Sequence, residues 1–490
     1  MTEKYKIGWI YGLSVLFLAL NIYWITKDIY WGLLTPVVLL IILLYVTSLD
    51  KIVYLITFLT PLAVNIQDFE FGVGISLPTE PLMFGVLIVF ILKLLHSSNY
   101  DRRIFRHPVS LAIMFQLLWM FITSLTSEIP LVSFKYLLSR LWFVVPFYFV
   151  AIMLFKNTRN IKLFDWLYAT PLLIIIFYTI LGHAGYGFDQ ESAHWVMDPF
   201  YNDHTAYGAV LAMFIPVFFG LTFNKKFSSL SRFISFAYFA ILVVAIILSY
   251  SRAAWISVAA ALAVYLLVVL KIKFRWIVIT LVTLTTIFIT FQYEILDRLE
   301  QNKQDSSADF VEHVRSIYNI SSDASNLERI NRWQSALRMF DERPFFGWGP
   351  GTYQFVYAPY QRSLEKTIIS TNAGDMGNAH SEYIGPLSEM GVIGMLAVLA
   401  LVVTVVYTGL RVYKYSRDQE VKLISIVTLL GLITYFTHGL LNNFLDTDKL
   451  SVPFWGFIAI LVALDLYKNP NSLMGAGAAD TDEESAEKES

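Results

Sequence analysis

Long apolar runs alternate with short polar connections along this chain, and the runs have the length of bilayer crossings. A spanning helix takes roughly 20 mostly apolar residues. Runs of this kind begin near Ile7, Tyr30, Lys51, Pro78, Pro108, Leu137, Phe164, Ala206, Phe233, Arg252, Trp276, Tyr383, Leu423 and Lys449. The pattern predicts an all-α, polytopic integral membrane protein with about fourteen transmembrane helices. The first run, Ile7 to Ile25, lacks a small-residue cleavage site and reads as a retained helix.

One polar interval is out of scale. At about 90 residues, Tyr293 to Glu382 far exceeds an ordinary connection and points to function. The expected organisation is a membrane domain over 1–292 with helices one to eleven, a large loop containing short helices over 293–382, and helices twelve to fourteen over 383–467. The remainder, 468–490, is acidic and small, and reads as a disordered tail.

Charge supplies the orientation. The connections NYDRRIFRH, KNTRNIK, NKKFSSLSR, KIKFR and RVYKYSRDQEVK are basic; QDFEFGVGISLPTE, SEIPLVSFK, HAGYGFDQESAHWVMDPFYNDH and LDTDK are acidic or mixed. By the positive-inside rule the basic set is cytoplasmic. Both termini are then cytoplasmic and the large loop faces outward. Composition agrees: 15% of residues are charged and 56% hydrophobic, with a mean hydropathy of +0.58, against about a quarter charged in soluble domains. The absence of cysteine excludes disulfides and thiolate chemistry. Membrane lipids are the expected surroundings, and no nucleic-acid partner is expected.

Against this background SYSRAAW, 249–255, stands out. An arginine beside hydrocarbon is costly unless it meets an interface, a partner or an aqueous cavity. The topology puts Arg252 at the outer end of its helix. In the large loop, SNLE at 325–328 is a capping-box pattern that predicts a helix to about Asp341, before Arg343-Pro344 breaks it. Arg329, Arg332, Trp333, Ala336 and Phe340 share one face at helical spacing. Arg332 also suits a solvated i,i+4 pair with Glu328. RPFFGWGPGTYQF follows, whose glycines and proline demand a compact turn and whose aromatics suit a membrane interface. TNAGDMGNAHSEYIGPLSEMGVIG then leads into the next span, with His380 and Glu382 where the helix emerges. A histidine there also fits a plain interfacial polar role.

Three segments together, SRAAW opening a helix, RINRWQSALRMFDERPFFGWGPGTY in the loop and NAHSEYIGPLSEMGVIG before the next span, resemble the O-antigen ligase-related family, which includes polysaccharide polymerases. The resemblance covers about Tyr201 to Gly394. It implies a GT-C-like membrane glycosyltransferase that moves a glycan from undecaprenyl diphosphate to an acceptor hydroxyl at the outer face of a bacterial inner membrane. The acceptor is lipid A-core in a ligase, or another lipid-linked glycan in a polymerase. It also implies that no metal or other cofactor is needed. The family's functional positions carry over to Arg252, to Arg329 or Arg332, and to His380. Where the family often has Asn after the histidine, this chain has Ser381.

These residue types suit that chemistry. Breaking a sugar–phosphate bond builds negative charge on the departing diphosphate, which arginine meets in a bidentate, permanently charged way. The attacking hydroxyl needs a proton acceptor, and histidine fits. Further outward candidates are Asn202 and His204, which with Asp203 line an acceptor site or cap a helix. Arg140, like Lys135, either supports the site or snorkels. Glu382 either orients His380 or faces solvent. Asp446-Thr-Asp448 mimics a metal-binding DxD, although two carboxylates in a solvated turn account for it as well. The rival function is a lipid-linked oligosaccharide flippase or secondary transporter. Such proteins keep their sites near the midplane on repeated, broken helices, whereas these candidates gather at one face.

Overall fold

The computed structural model describes residues 3–28, 30–66, 74–96, 100–272, 275, 283, 286, 324–363, 365–367, 370 and 377–471. Among them, ten helices are long and apolar enough to cross a membrane. They are Thr79–His96, Pro108–Leu125, Pro130–Leu154, Thr158–Ala184, His204–Thr222, Ser229–Leu248, Arg252–Val269, Ile384–Tyr415, Gln419–His438 and Asp448–Lys468. The chain is a multi-pass, all-α membrane protein. The run near Ile7 forms the 23-residue helix Glu3–Ile25, and the run near Tyr30 forms the short turn Trp31–Leu34 followed by helix Thr35–Thr47. The expected crossing near Lys51 is instead the 11-residue helix Leu49–Leu59, too short for a hydrocarbon layer about 30 Å thick. It buries Ile52, Val53 and Ile56 in the bundle. The run near Trp276, the first part of the large loop and the tail from 472 lie outside the described residues.

Helix ends follow local chemistry. Asp101, Asn157, Asp203, Ser228, Ser251 and Asp418 each accept a backbone N–H of the first helical turn, the usual remedy for unpaired donors. Pro108 and Pro130 sit in first turns, where no N–H is required. The central helix is Asp448–Lys468, 94% buried over its apolar window, whereas Ser229–Leu248 and Arg252–Val269 are only 28% and 22% buried. The exposed apolar flanks of those two helices suit contact with lipid. One small non-helical piece was not foreseen. Val64–Ile66 and Ile75–Leu77 form an antiparallel ribbon with Val64 opposite Leu77.

The loop helix runs Ala324–Glu342 and ends just before Arg343-Pro344, as its sequence predicts. Its buried stripe is Glu328, Asn331, Arg332, Ser335, Ala336 and Met339. The predicted apolar face is thus rotated, and Trp333 and Phe340 are only partly covered. Polar positions take the inside because partners await them: Asn331 Nδ2 donates to Gln361 Oε1 (2.9 Å) and Ser335 Oγ to the Asn331 carbonyl (2.8 Å). The Ser325 side chain lies outside the described residues. The glycine-rich stretch is the compact turn its composition demands, with positive φ at Gly347, Gly349 and Gly351. It docks on the bundle through Trp348 N to Ser388 O (3.1 Å), Gly349 N to Glu389 O (2.8 Å) and Glu128 N to Trp348 O (3.0 Å). Phe345 and Phe346 are exposed there, and Trp348 is buried. Helix Ile384–Tyr415 breaks at Gly391 (φ 67°, ψ −170°) to receive this segment, with Val392 N bonded to Pro344 O (2.9 Å).

Gly349→Ala should undock the segment. Its φ is 111°, and a Cβ would stand 2.0 Å from Ser127 Oγ. The backbone conformation alone costs an L-residue about 1–2 kcal/mol, and the clash adds to that. Limited proteolysis in nanodiscs should show faster cleavage within 343–352; wild-type protection would contradict this docking.

Candidate functional site

Arg252 opens helix Arg252–Val269 after a tight turn. Tyr250 adopts φ 49°, its hydroxyl donates to the Phe188 carbonyl (2.8 Å), and Ser251 Oγ caps Ala254 N (3.4 Å). A Cβ on Gly208 would stand 2.9 Å from Ser251 Cβ, so helix His204–Thr222 touches this turn directly. A helix N-terminus carries partial positive charge. An arginine in the first turn adds to that positive charge, so the two together suit an anion.

The loop helix brings two more arginines. Arg329 Nε donates to the Leu441 carbonyl (3.1 Å), and Arg329 lies within electrostatic reach of both Arg252 and Asp203. Burial draws its pKa down, and Asp203 opposes that shift. Arg332 is held differently. Its Nε bonds Glu328 Oε1 at 2.6 Å, its guanidinium lies 4.1 Å above the Tyr357 ring, and it presses on Gly377, where a Cβ would meet Nη1 at 1.5 Å. The i,i+4 pair expected from sequence is present, but it is buried rather than solvated, with side chains 4% and 6% exposed. Tyr357 and Gly377 pack against it, and Thr367 and Ser370 also donate to Glu328. Burial would raise the Glu328 pKa; bonds from Ser370, Arg332 and Thr367 hold it below the usual range.

His380 precedes helix Ile384–Tyr415 in a left-handed conformation, φ 48°, its N–H bonded to Asn378 Oδ1 (3.0 Å). Burial first, then Arg329 and Arg332, lower its pKa to about 4. The imidazole is therefore neutral at physiological pH. Ser381 Oγ accepts the N–H groups of Tyr383 and Ile384, both at 3.3 Å, so it caps the following helix.

Asp203 caps helix His204–Thr222 through Thr205 N (2.8 Å) and Thr205 Oγ1 (2.6 Å), and His204 Nδ1 lies 3.1 Å from its Oδ1. Burial opposes ionisation of Asp203, but bonds from His204 and Thr205 hold it well below the usual carboxylate range. His204 packs on His194, ring centroids 4.2 Å apart. Asn202 is exposed.

Two sequence candidates prove to be supports. Glu382 neither orients His380 nor faces solvent through Oε1. That oxygen accepts Tyr435 Oη (2.7 Å), Phe444 N (2.9 Å) and Leu445 N (3.0 Å), organising the turn after helix Gln419–His438. Arg140 does not snorkel. It is buried, bonding Leu445 O (3.1 Å) and Tyr136 Oη (2.9 Å), and so props the same turn. Arg329 rests on that turn through Leu441. The reading of the sequence passed over its leading residue, His438, which is buried with Nε2 3.2 Å from Asn442 Nδ2 and lies within electrostatic reach of Asp203, Arg329 and His204. HGLLNN at a helix end is the signal the sequence offers for it.

The Asp446/Asp448 pair divides. Asp446 is exposed, as a solvated turn requires, whereas Asp448 is fully buried and accepts Thr79 Oγ1 (2.6 Å). Lys449 beside it is buried too and donates to the Ala63 carbonyl (2.6 Å), closing the end of the short helix Leu49–Leu59.

Arginine, histidine and carboxylate thus converge where four helix ends meet the loop helix: permanent cations for an anion, beside a neutral base. An uncharacterized protein of Haemophilus influenzae is 23% identical over 200 residues, which cover 40% of this chain and 48% of that protein. The chain therefore spans about half the length of that relative. Residues 237–399 match the O-antigen ligase family, and the matched stretch contains Arg252, Arg329, Arg332 and His380.

Proposed function

We propose that this protein is an integral-membrane glycosyltransferase of the ligase or polymerase type. It transfers a glycan from an undecaprenyl-diphosphate donor to an acceptor hydroxyl, either on lipid A-core or on another lipid-linked glycan. The reaction takes place at the outer face of the inner membrane, with both termini cytoplasmic. The observation that carries this reading is the gathering of Arg252, Arg329 and His380 within one stretch that matches the O-antigen ligase family.

Arg252 and Arg329 hold the diphosphate. Arg332, already paired with Glu328, positions the loop helix and adds to the field at His380. The acceptor oxygen attacks the anomeric carbon while the bond from that carbon to the phosphate oxygen breaks. The hydroxyl proton passes to the neutral His380 ring, and undecaprenyl diphosphate leaves carrying the bonding electrons. Preorganised cations stabilise charge best where water is scarce, which suits the buried setting of Arg332 and Glu328. Glu382, Arg140, His438 and Asp203 keep the surrounding helix ends in register. A flippase or transporter reading has less support, since the charged candidates cluster at helix ends rather than along a broken midplane helix.

The test is transfer by purified protein in nanodiscs, with an undecaprenyl-diphosphate-linked oligosaccharide as donor and its acceptor glycan. Undecaprenyl diphosphate and extended acceptor should appear together, at the same rate in excess EDTA, because the arginines supply the countercharge. Failure to consume donor would remove the proposal. Loss in EDTA restored by Mn²⁺ or Mg²⁺ would transfer the countercharge to a metal. In a deletion strain, loss of long chains with persisting single lipid-linked repeats means a polymerase, and accumulated full-length lipid-linked polymer means a ligase.

A further inference from the structure

The connection between helices Thr158–Ala184 and His204–Thr222 contains an open cavity of about 650 Å³. Tyr178, Leu181, Gly182, Tyr186, Trp195, Val196 and Asp198 line it. Three of its walls are large aromatic side chains left substantially exposed: Tyr178 46%, Tyr186 53% and Trp195 44%. They are held in place. Tyr186 and Trp195 meet edge to face, centroids 4.7 Å apart. Tyr178 packs edge to face on Phe200 (5.4 Å) and donates its hydroxyl to the Asp198 carbonyl (2.8 Å). Gly182 keeps the floor open, since a Cβ there would meet nothing closer than 3.9 Å.

The lining discriminates among occupants. Among the described lining residues none is lysine or arginine, so a phosphate or diphosphate would find no countercharge. Asp198 is exposed and lines the cavity with the rings, and its carboxylate would be poorly placed against acyl chains alone. Aromatic faces carry negative quadrupole density, which attracts the polarised C–H bonds on the flat side of a pyranose, while a carboxylate accepts the ring hydroxyls. The cavity is also tied to the site. Trp195 follows His194, whose ring stacks on His204 and so reaches Asp203.

We propose that this cavity is a subsite for an uncharged oligosaccharide, with Trp195 and Tyr186 as stacking platforms and Asp198 as hydroxyl acceptor. It would grip sugar residues several units from the reacting bond, which sits at the arginines. The inference rests on the transferase reading above, and the glycan could belong to the donor or to the acceptor.

Saturation-transfer NMR on the full chain in nanodiscs tests it without requiring turnover. The probes are two soluble oligosaccharides released by mild acid, one from the organism's lipid-linked donor and one from its acceptor glycan. At least one should bind wild-type protein, and the one that does identifies the source. Trp195→Ala should weaken that binding by about tenfold, the scale of one lost aromatic contact. Trp195→Phe, which keeps a ring, should stay close to wild type and controls for folding. Neither oligosaccharide binding, or equal binding by Trp195→Ala, overturns the subsite. So does quenching of a protein retaining only Trp195 by brominated phosphatidylcholine that the oligosaccharides do not relieve, since lipid then fills the groove. Glycan binding by a protein that consumes no donor would leave the subsite standing and remove the transferase reading.

Discussion

Arg252→Ala should cut glycan transfer by about 10²–10³-fold, the range seen when one preorganised electrostatic contact to a developing anion is removed. Arg252→Lys should recover little of it. Arg252 occupies the first turn of its helix, where the helix dipole disfavours a cation, and it lies within reach of a second cation, Arg329. Two arginines beside a helix N-terminus form a strongly positive locus, the field that a diphosphate would meet. Lysine keeps the charge but loses the planar fork that meets two phosphate oxygens at once. The diagnostic measurement is the affinity for undecaprenyl diphosphate alongside the transfer rate. Loss of both in Arg252→Ala, with unchanged expression and thermal stability, is expected. Wild-type transfer by the alanine variant would remove Arg252 from the site. A full rescue by lysine would reduce its role to a point charge.

Arg252 also illustrates what could be read in advance. Spans longer than a bilayer width carry their signal in plain hydropathy, so ten of them match helices that are long and apolar enough. The short helix Leu49–Leu59 has the same apolar content per residue, and only its following Thr60-Pro61 turn distinguishes it from a crossing. Arginine in an apolar frame is equally conspicuous. His438 was not, because one histidine at a helix end means little until the fold carries Asp203, from more than 200 residues earlier, to its side. Glu382 and Arg140 are visible in the sequence as charges near the candidate site, but their partners in the distant turn 444–445 are not. Sequence spacing reports local faces; it does not report which remote carbonyl a buried charge will satisfy. The loop helix shows the limit within a single element. Its buried stripe includes Asn331 and Ser335, which a hydrophobicity pattern assigns to the outside.

His380→Ala should reduce transfer by about 10²–10⁴-fold, or roughly 3–5 kcal/mol of transition-state stabilisation, the contribution of a positioned general base. Donor affinity should change little, because the arginines hold the diphosphate. His380→Gln should be no better, since an amide can hydrogen-bond but cannot accept the proton. The environment of His380 makes a sharper claim about pH. In the empty site burial, Arg329 and Arg332 lower its pKa to about 4. The ring is then neutral and able to accept a proton above that pH, and is lost as a base when pH falls through it. A base that weak drives proton transfer poorly. Donor binding changes this, because the diphosphate offsets the two arginine charges that disfavour the imidazolium, and the pKa rises. The free enzyme and the donor complex should therefore show different acid limbs. That of kcat/KM should lie near pH 4, and that of kcat at higher pH. Coincident limbs would mean the diphosphate does not sit beside Arg329. Near-wild-type single turnover by His380→Gln, at saturating donor and acceptor across the whole pH range, would rule out proton transfer and leave His380 as a residue that only orients the acceptor.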